Sequence, residues 1–100
     1  MTAPSAEEAE RIARQLVERR LVACVNIVAG VRSVFRWQGN VCDEKEVLMV
    51  LKSRKDKFEE ISTEIKSLHS YDVPEIIALP IIAGSEEYLS WVRTETTPAN

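Results

Sequence analysis

Residues 69 to 75, His-Ser-Tyr-Asp-Val-Pro-Glu, bring the only histidine of the chain together with a phenol and two carboxylates. An imidazole nitrogen and carboxylate oxygens are donors for a divalent cation. They are also groups that move protons near neutral pH. His69, Asp72 and Glu75 are therefore the candidate ligand set. A plainer role competes with it, because a histidine at a helix end caps it and meets the negative end of its dipole. No second histidine exists, so one chain does not supply the multi-imidazole site that zinc or copper favours. Neighbouring chains would have to complete it.

Catalytic patterns are not visible. No Ser-His-acid or Cys-His order stands out, and three glycines form no phosphate-cradling loop. Cys24 and Cys42 make neither a disulfide framework nor a close Cys-x-x-Cys pair. Cys24, inside "LVACVNIV", reads as a small core residue. Cys42 reads as a more exposed, incidental thiol, with no basic cluster beside it to depress its pKa.

The elements that must position these groups follow from periodicity. Ser5 with Glu8 three positions on forms a capping box, and Ala9, Ile12, Ala13, Leu16 and Val17 recur at helical spacing. The first helix is expected from about Ala6 to Arg20, with Arg19 and Arg20 as cations at its C-terminus. "LVACVNIVAGVRSVFRW" is rich in β-branched and aromatic residues and reads as a strand, bent at Gly30. "QGN" turns the chain, and "EVLMVLKS" returns it. A second helix begins near Lys55 and sets Phe58, Ile61, Ile65 and Leu68 on one face. It ends at His69-Ser70, ahead of Pro74. "EIIALPII" is expected as a strand covered on both faces. Ser85, Glu86 and Glu87 open a third helix with Tyr88, Leu89 and Val92 as its apolar face, and "TETTPAN" is expected to fray.

Composition bounds the whole. One hundred residues make a single domain, 1–100, and 45% hydrophobic with 29% charged is ordinary for a globular protein. The net charge of −3 argues against nucleic-acid binding, which needs a basic surface. No apolar run approaches the roughly 20 residues of a membrane span. No export signal is visible, so the expected location is cytoplasmic, with reduced thiols.

Helix, strand, strand, helix, strand, helix is the order of an α+β, ferredoxin-like βαββαβ sandwich with an extra C-terminal helix. The first strand is largely missing from this sequence, with "MTAP" supplying its last residue or two. The hairpin from about Leu21 to Arg54 is longer than one small core can cover. Its overhang carries Val31, Val34, Phe35 and Trp37. A head-to-tail homotrimer would cover that surface and the free strand edge.

The assembled pattern resembles the CutA-type divalent-ion tolerance proteins. "ACVN", "WQG" and "H-x-Y-[DE]-x-P-E" occur in the right order, and the resemblance runs from "TAPSAEEAERIAR" to Trp91-Val92. It implies a ferredoxin-like fold, a tight homotrimer, and weak or transient binding of copper or another divalent cation by a non-enzymatic protein. It also implies a cleft between subunits lined by Trp37, Lys52, Tyr71, Glu75 and Trp91. The alternative it leaves open is a trimeric ligand-sensing or signalling scaffold, similar to nitrogen-regulatory signal proteins, with a small molecule in that cleft. Two positions depart from the family pattern. Met1 stands where some members carry a cysteine ligand, and Leu68 stands where some carry a second histidine. Other proteins of this fold hydrolyse acyl phosphates or bind RNA. The acidic "MTAPSAEE" and the aromatic-free "EVLMVLKS" fit neither.

Overall fold

A computed structural model describes residues 1–98. Its elements in chain order are β1 (Thr2–Ala3), α1 (Ala6–Glu18), β2 (Cys24–Trp37), β3 (Asn40–Lys52), a 3-10 turn over Lys55–Lys57, α2 (Phe58–Leu68) and α3 (Glu86–Glu95). The three strands form one antiparallel sheet in the order β1-β3-β2. This is the expected α+β architecture, with β1 reduced to two residues.

The α1 helix starts where the cap predicts. Ser5 Oγ accepts the Glu8 N–H at 3.1 Å. Ala9, Ile12, Ala13 and Leu16 are buried, one stripe at helical spacing. The helix stops two residues earlier than expected. Leu21 N–H donates to Leu16 carbonyl and Arg20 N–H to Val17 carbonyl, the paired bonds of a Schellman ending. Arg20 occupies the left-handed position of that ending at φ 59. Arg19 and Arg20 thus lie beyond the last helical turn, and they make interhelical ion pairs instead. Arg19 pairs with Glu64 of α2, and Arg20 lies 3.7 Å from Glu95 of α3.

The β2–β3 hairpin is the dominant feature. Its register runs from Cys24↔Lys52 to Trp37↔Asn40, interrupted between Val28 and Val31. Gly30 makes that bulge at φ 81, a conformation costly for any residue with a Cβ. Gln38 and Gly39, at φ 50 and 82, close a two-residue turn of type I′, whose twist matches the strands. Fourteen residues at about 3.3 Å each reach roughly 46 Å, and the molecule is 47 Å in its longest dimension. The hairpin sets that length.

The core lies at the base of the hairpin. Ile12 and Leu16 of α1, Ile61 and Ile65 of α2, and Val47 and Met49 of β3 meet there with Leu21 and Val22. Burying each large aliphatic side chain contributes about 1.5–3 kcal/mol.

Two expectations for the C-terminal third need correction. "EIIALPII" forms no strand: residues 75–82 carry no sheet pairing, and Ile76 alone of their large apolar side chains packs against the core. Leu79 and Ile82 are 84% and 94% exposed. A strand forms only where a neighbouring strand meets it, and β1 is two residues long and pairs with β3 through Thr2 and Ala3. The polar tail does not fray where expected. The α3 helix continues through Glu95, and Thr96 is fully buried, with its carbonyl accepting from Arg54 at 3.3 Å. Ala99 and Asn100 lie outside the described residues.

Candidate functional site

The His69 segment is placed by the end of α2. Its backbone N–H completes the helix by donating to Ile65 carbonyl at 2.8 Å, and at ψ 142 the chain then turns out of the helix. The imidazole is directed inward, with no exposed side-chain surface. Nε2 lies 2.8 Å from the Thr2 carbonyl of β1, and Nδ1 accepts the Tyr71 N–H at 3.0 Å. A carbonyl only accepts, so the pattern assigns the ring proton to Nε2.

Glu8 serves this segment rather than its own helix cap. Its Oε2 accepts the Ser70 N–H at 3.1 Å and the Ser70 hydroxyl at 3.0 Å, and it lies 3.5 Å from His69 Nδ1. The Tyr71 ring sits 4.9 Å from the imidazole, and its hydroxyl donates to Glu46 Oε2 at 3.2 Å. Burial first, and then the nearby carboxylates of Glu46, Glu44 and Glu8, push the Tyr71 phenol above its usual value. One polar network thus joins β1, α1, the end of α2 and β3.

The expected ligand set is not assembled. Among the described residues, no group of three or more His, Cys, Asp or Glu side chains is gathered for a metal ion. A cation needs a free nitrogen lone pair, and His69 has none: one nitrogen carries the proton and the other holds a backbone N–H. The imidazole does not fit a cation in this chain. Asp72 and Glu75 are exposed carboxylates. Glu75 faces the Met1 amine across 3.9 Å, and burial lowers the pKa of that amine.

The residues of the expected cleft fall into three places. Tyr71 belongs to the His69 network. Lys52 stands across the ladder from Cys24, its ammonium 3.7 Å from the sulfur. Desolvation raises the Tyr88 phenol above its usual value, and its ring lies 5.6 Å from Trp91. Trp91 borders a recess of about 330 Å3 with Val17, Glu18, Arg20, Val22 and Glu95. Trp37 is alone at the hairpin turn. Cys24, expected in the core, is partly buried, as is Cys42.

Sequence reasoning missed Glu46, Ser70 and the second role of Glu8. Glu46 and Val47 are adjacent and both buried, which breaks the two-residue alternation that would mark a core-facing position. The one available signal was the glutamate at Glu8, read as half of a capping box, whose carboxylate turns to Ser70 instead.

These features define a class: a small α+β sandwich built on an overlong hairpin, with a buried polar network around His69. A sequence profile described as "CutA1 divalent ion tolerance protein" matches residues 1–95. The chain is 50% identical over 96 residues to the divalent-cation tolerance protein CutA of Thermus thermophilus, covering 96% of this chain and 93% of that one. The solved structure of the Thermus thermophilus protein superposes with a TM-score of 0.93. The structure of CutA from Archaeoglobus fulgidus does so at 0.93 with 46% identity, covering 96% and 93% of the two chains. The chain also matches the chloroplastic CutA of Arabidopsis thaliana at 42% identity, over 96% of its own length and 53% of that protein's. The protein belongs to the CutA1 divalent ion tolerance family.

Proposed function

We propose that this protein acts in divalent-cation tolerance, as a non-enzymatic cytoplasmic homotrimer that engages copper or another divalent ion weakly and transiently. The supporting observation is similarity across 96% of the chain to proteins named for that tolerance. Trimer formation is supported by the unpaired apolar segment at 75–82 and by the overhanging hairpin. With His69 engaged, the exposed oxygen donors in this segment are the carboxylates of Asp72 and of Glu75, the latter also facing the Met1 amine. Oxygen donors bind divalent ions less tightly than imidazole or thiolate sites do, consistent with transient engagement.

Calorimetric titration with Cu2+, Zn2+ and Mg2+, paired with thermal unfolding, tests the reading. A ligand that binds only the folded state raises its apparent stability by mass action. A rise in the transition that grows with ion concentration is expected. No heat and no shift at millimolar ion would sink the cation role.

A second reading is a scaffold that senses a small molecule in a cleft between subunits; within one chain Trp91 borders an open recess of about 330 Å3. A metabolite that shifts the transition when metal ions do not would move the assignment to this reading.

A further inference from the structure

The family's tolerance function directs attention to its histidine as a ligand, and the geometry gives that histidine other work. His69 has no exposed side-chain surface, so an incoming ion has no face of the ring to approach. Binding at Nε2 would remove the proton that reaches Thr2 carbonyl at 2.8 Å. Binding at Nδ1 would displace the Tyr71 N–H held at 3.0 Å. Either event leaves a backbone group without its partner in a partly buried setting. The neighbouring carboxylate is equally engaged, since Glu8 Oε2 already takes two donors from Ser70. Around the ring each donor has one acceptor, and no lone pair is left over on the imidazole.

We infer that His69 is a positioning residue and not a cation ligand. It pins β1 onto the end of α2 through Thr2. Through Nδ1 it fixes the Tyr71 backbone, so that the Tyr71 phenol meets Glu46 at 3.2 Å. The bond from Nδ1 to the N–H two residues on has the geometry that an asparagine side chain makes in an Asx turn. This gives the assignment a specific prediction: asparagine restores the contact and alanine does not. The consequence for the proposed function is chemical. A cation that engages this segment meets oxygen donors, and the imidazole preference for copper and zinc plays no part there.

Nitrogen NMR of the single imidazole tests the assignment on the intact protein. At neutral pH the ring is expected to show a protonated Nε2 and an unprotonated Nδ1, both unmoved by a tenfold excess of Zn2+. A proton on Nδ1, or a Zn2+-dependent displacement of either ring nitrogen, would overturn the inference. The amides of residues 71 to 73 and 75 report the cation role separately in the same titration. Shifts there with a still ring support both readings. Still amides with a still ring support the His69 assignment and tell against the cation role. In a second arm, amide exchange at Tyr71 is expected to rise at least tenfold in His69→Ala and to return within threefold of wild type in His69→Asn. Equal exchange in both variants would overturn the positioning role. The ring measurement stands alone where a variant fails to fold.

Discussion

The Tyr71 hydroxyl donates to Glu46 across 3.2 Å, joining the segment after α2 to the middle of β3. Glu46 is 7% exposed, one of three buried polar or charged side chains among the described residues, with His69 and Thr96. A buried carboxylate is costly without a donor, so the phenol is the natural place to test the network.

Tyr71→Phe removes the hydroxyl alone and keeps the ring against His69. The loss is expected to be about 1–3 kcal/mol, the cost of leaving a buried acceptor unsatisfied. Urea denaturation reads it as a lower midpoint at unchanged slope. The same pair gives a pH signature. The folded Tyr71 pKa is raised above 10.0 by burial and then by the Glu46 charge. A raised folded value means that the contribution is fully present below 10.0 and is lost as pH rises through the folded value. Wild type is therefore expected to lose stability above pH 10 more steeply than Tyr71→Phe. Parallel curves would show that this phenol is not the source.

Gly30 and Gly39 hold φ of 81 and 82, and a Cβ added at either meets nothing within 4 Å. Alanine there is strained by its backbone and not by a clash. Gly30→Ala and Gly39→Ala are each expected to cost about 1–2 kcal/mol, and asparagine less, because it tolerates the left-handed region. The sites sit at the bulge and at the turn, so the double variant is expected to lose the sum. Chemical denaturation of the three variants checks both size and additivity.

Arg32 and Asp43 form a two-pronged pair across the hairpin, with contacts of 2.8 and 2.5 Å. Hydrogen bonding to the guanidinium lowers the Asp43 pKa below 3.8. A lowered carboxylate value contributes stability above 3.8 that is lost as pH falls through the folded value. The pair is open to solvent and screened by salt, so Asp43→Asn is expected to leave the denaturation midpoint unchanged at physiological ionic strength. NMR titration of the Asp43 carboxyl in wild type checks the direction, and a midpoint at or above 3.8 would contradict it.

Much of the fold was legible because its signals are local. The Ser5 cap, the stripe from Ala9 to Leu16, the Gly30 bulge and the Gln38-Gly39 turn each depend on a few neighbouring residues. The errors fell where long-range geometry decides. Whether "EIIALPII" pairs depends on the strand that meets it, which its own composition does not reveal. The site was readable as a segment but not as a mechanism. His69 draws attention as the lone imidazole, yet its two partners are backbone groups of Thr2 and Tyr71, which no residue pattern marks. Glu46 sits 25 positions from Tyr71 in sequence, and nothing near it signals a buried carboxylate.

The chain leaves a run of apolar side chains open to solvent. Ile77, Leu79, Ile81 and Ile82 are all exposed within six residues, on a segment with no pairing of its own. Among the described residues, the sheet order β1-β3-β2 also leaves the outer edge of β2 without a partner. An unpaired edge and a bare apolar segment on one small protein are aggregation sites unless another copy closes them. Both lie on the same chain but do not pair with each other within it, so the closing contact is heterologous, from one copy to the next. Three such contacts in a ring leave neither feature open. The protein is therefore expected to sediment as a trimer at micromolar concentration. Leu79→Asp is expected to dissociate it while the helical circular dichroism of α1 and α2 persists, because Leu79 lies outside the core around Ile12 and Leu16. Trp37→Glu, at the hairpin turn, tests whether the overhang reaches a subunit boundary. A folded wild-type monomer at these concentrations would refute the ring. A trimer that survives Trp37→Glu but not Leu79→Asp would assign the contact to the 75–82 segment and leave the hairpin tip in solvent.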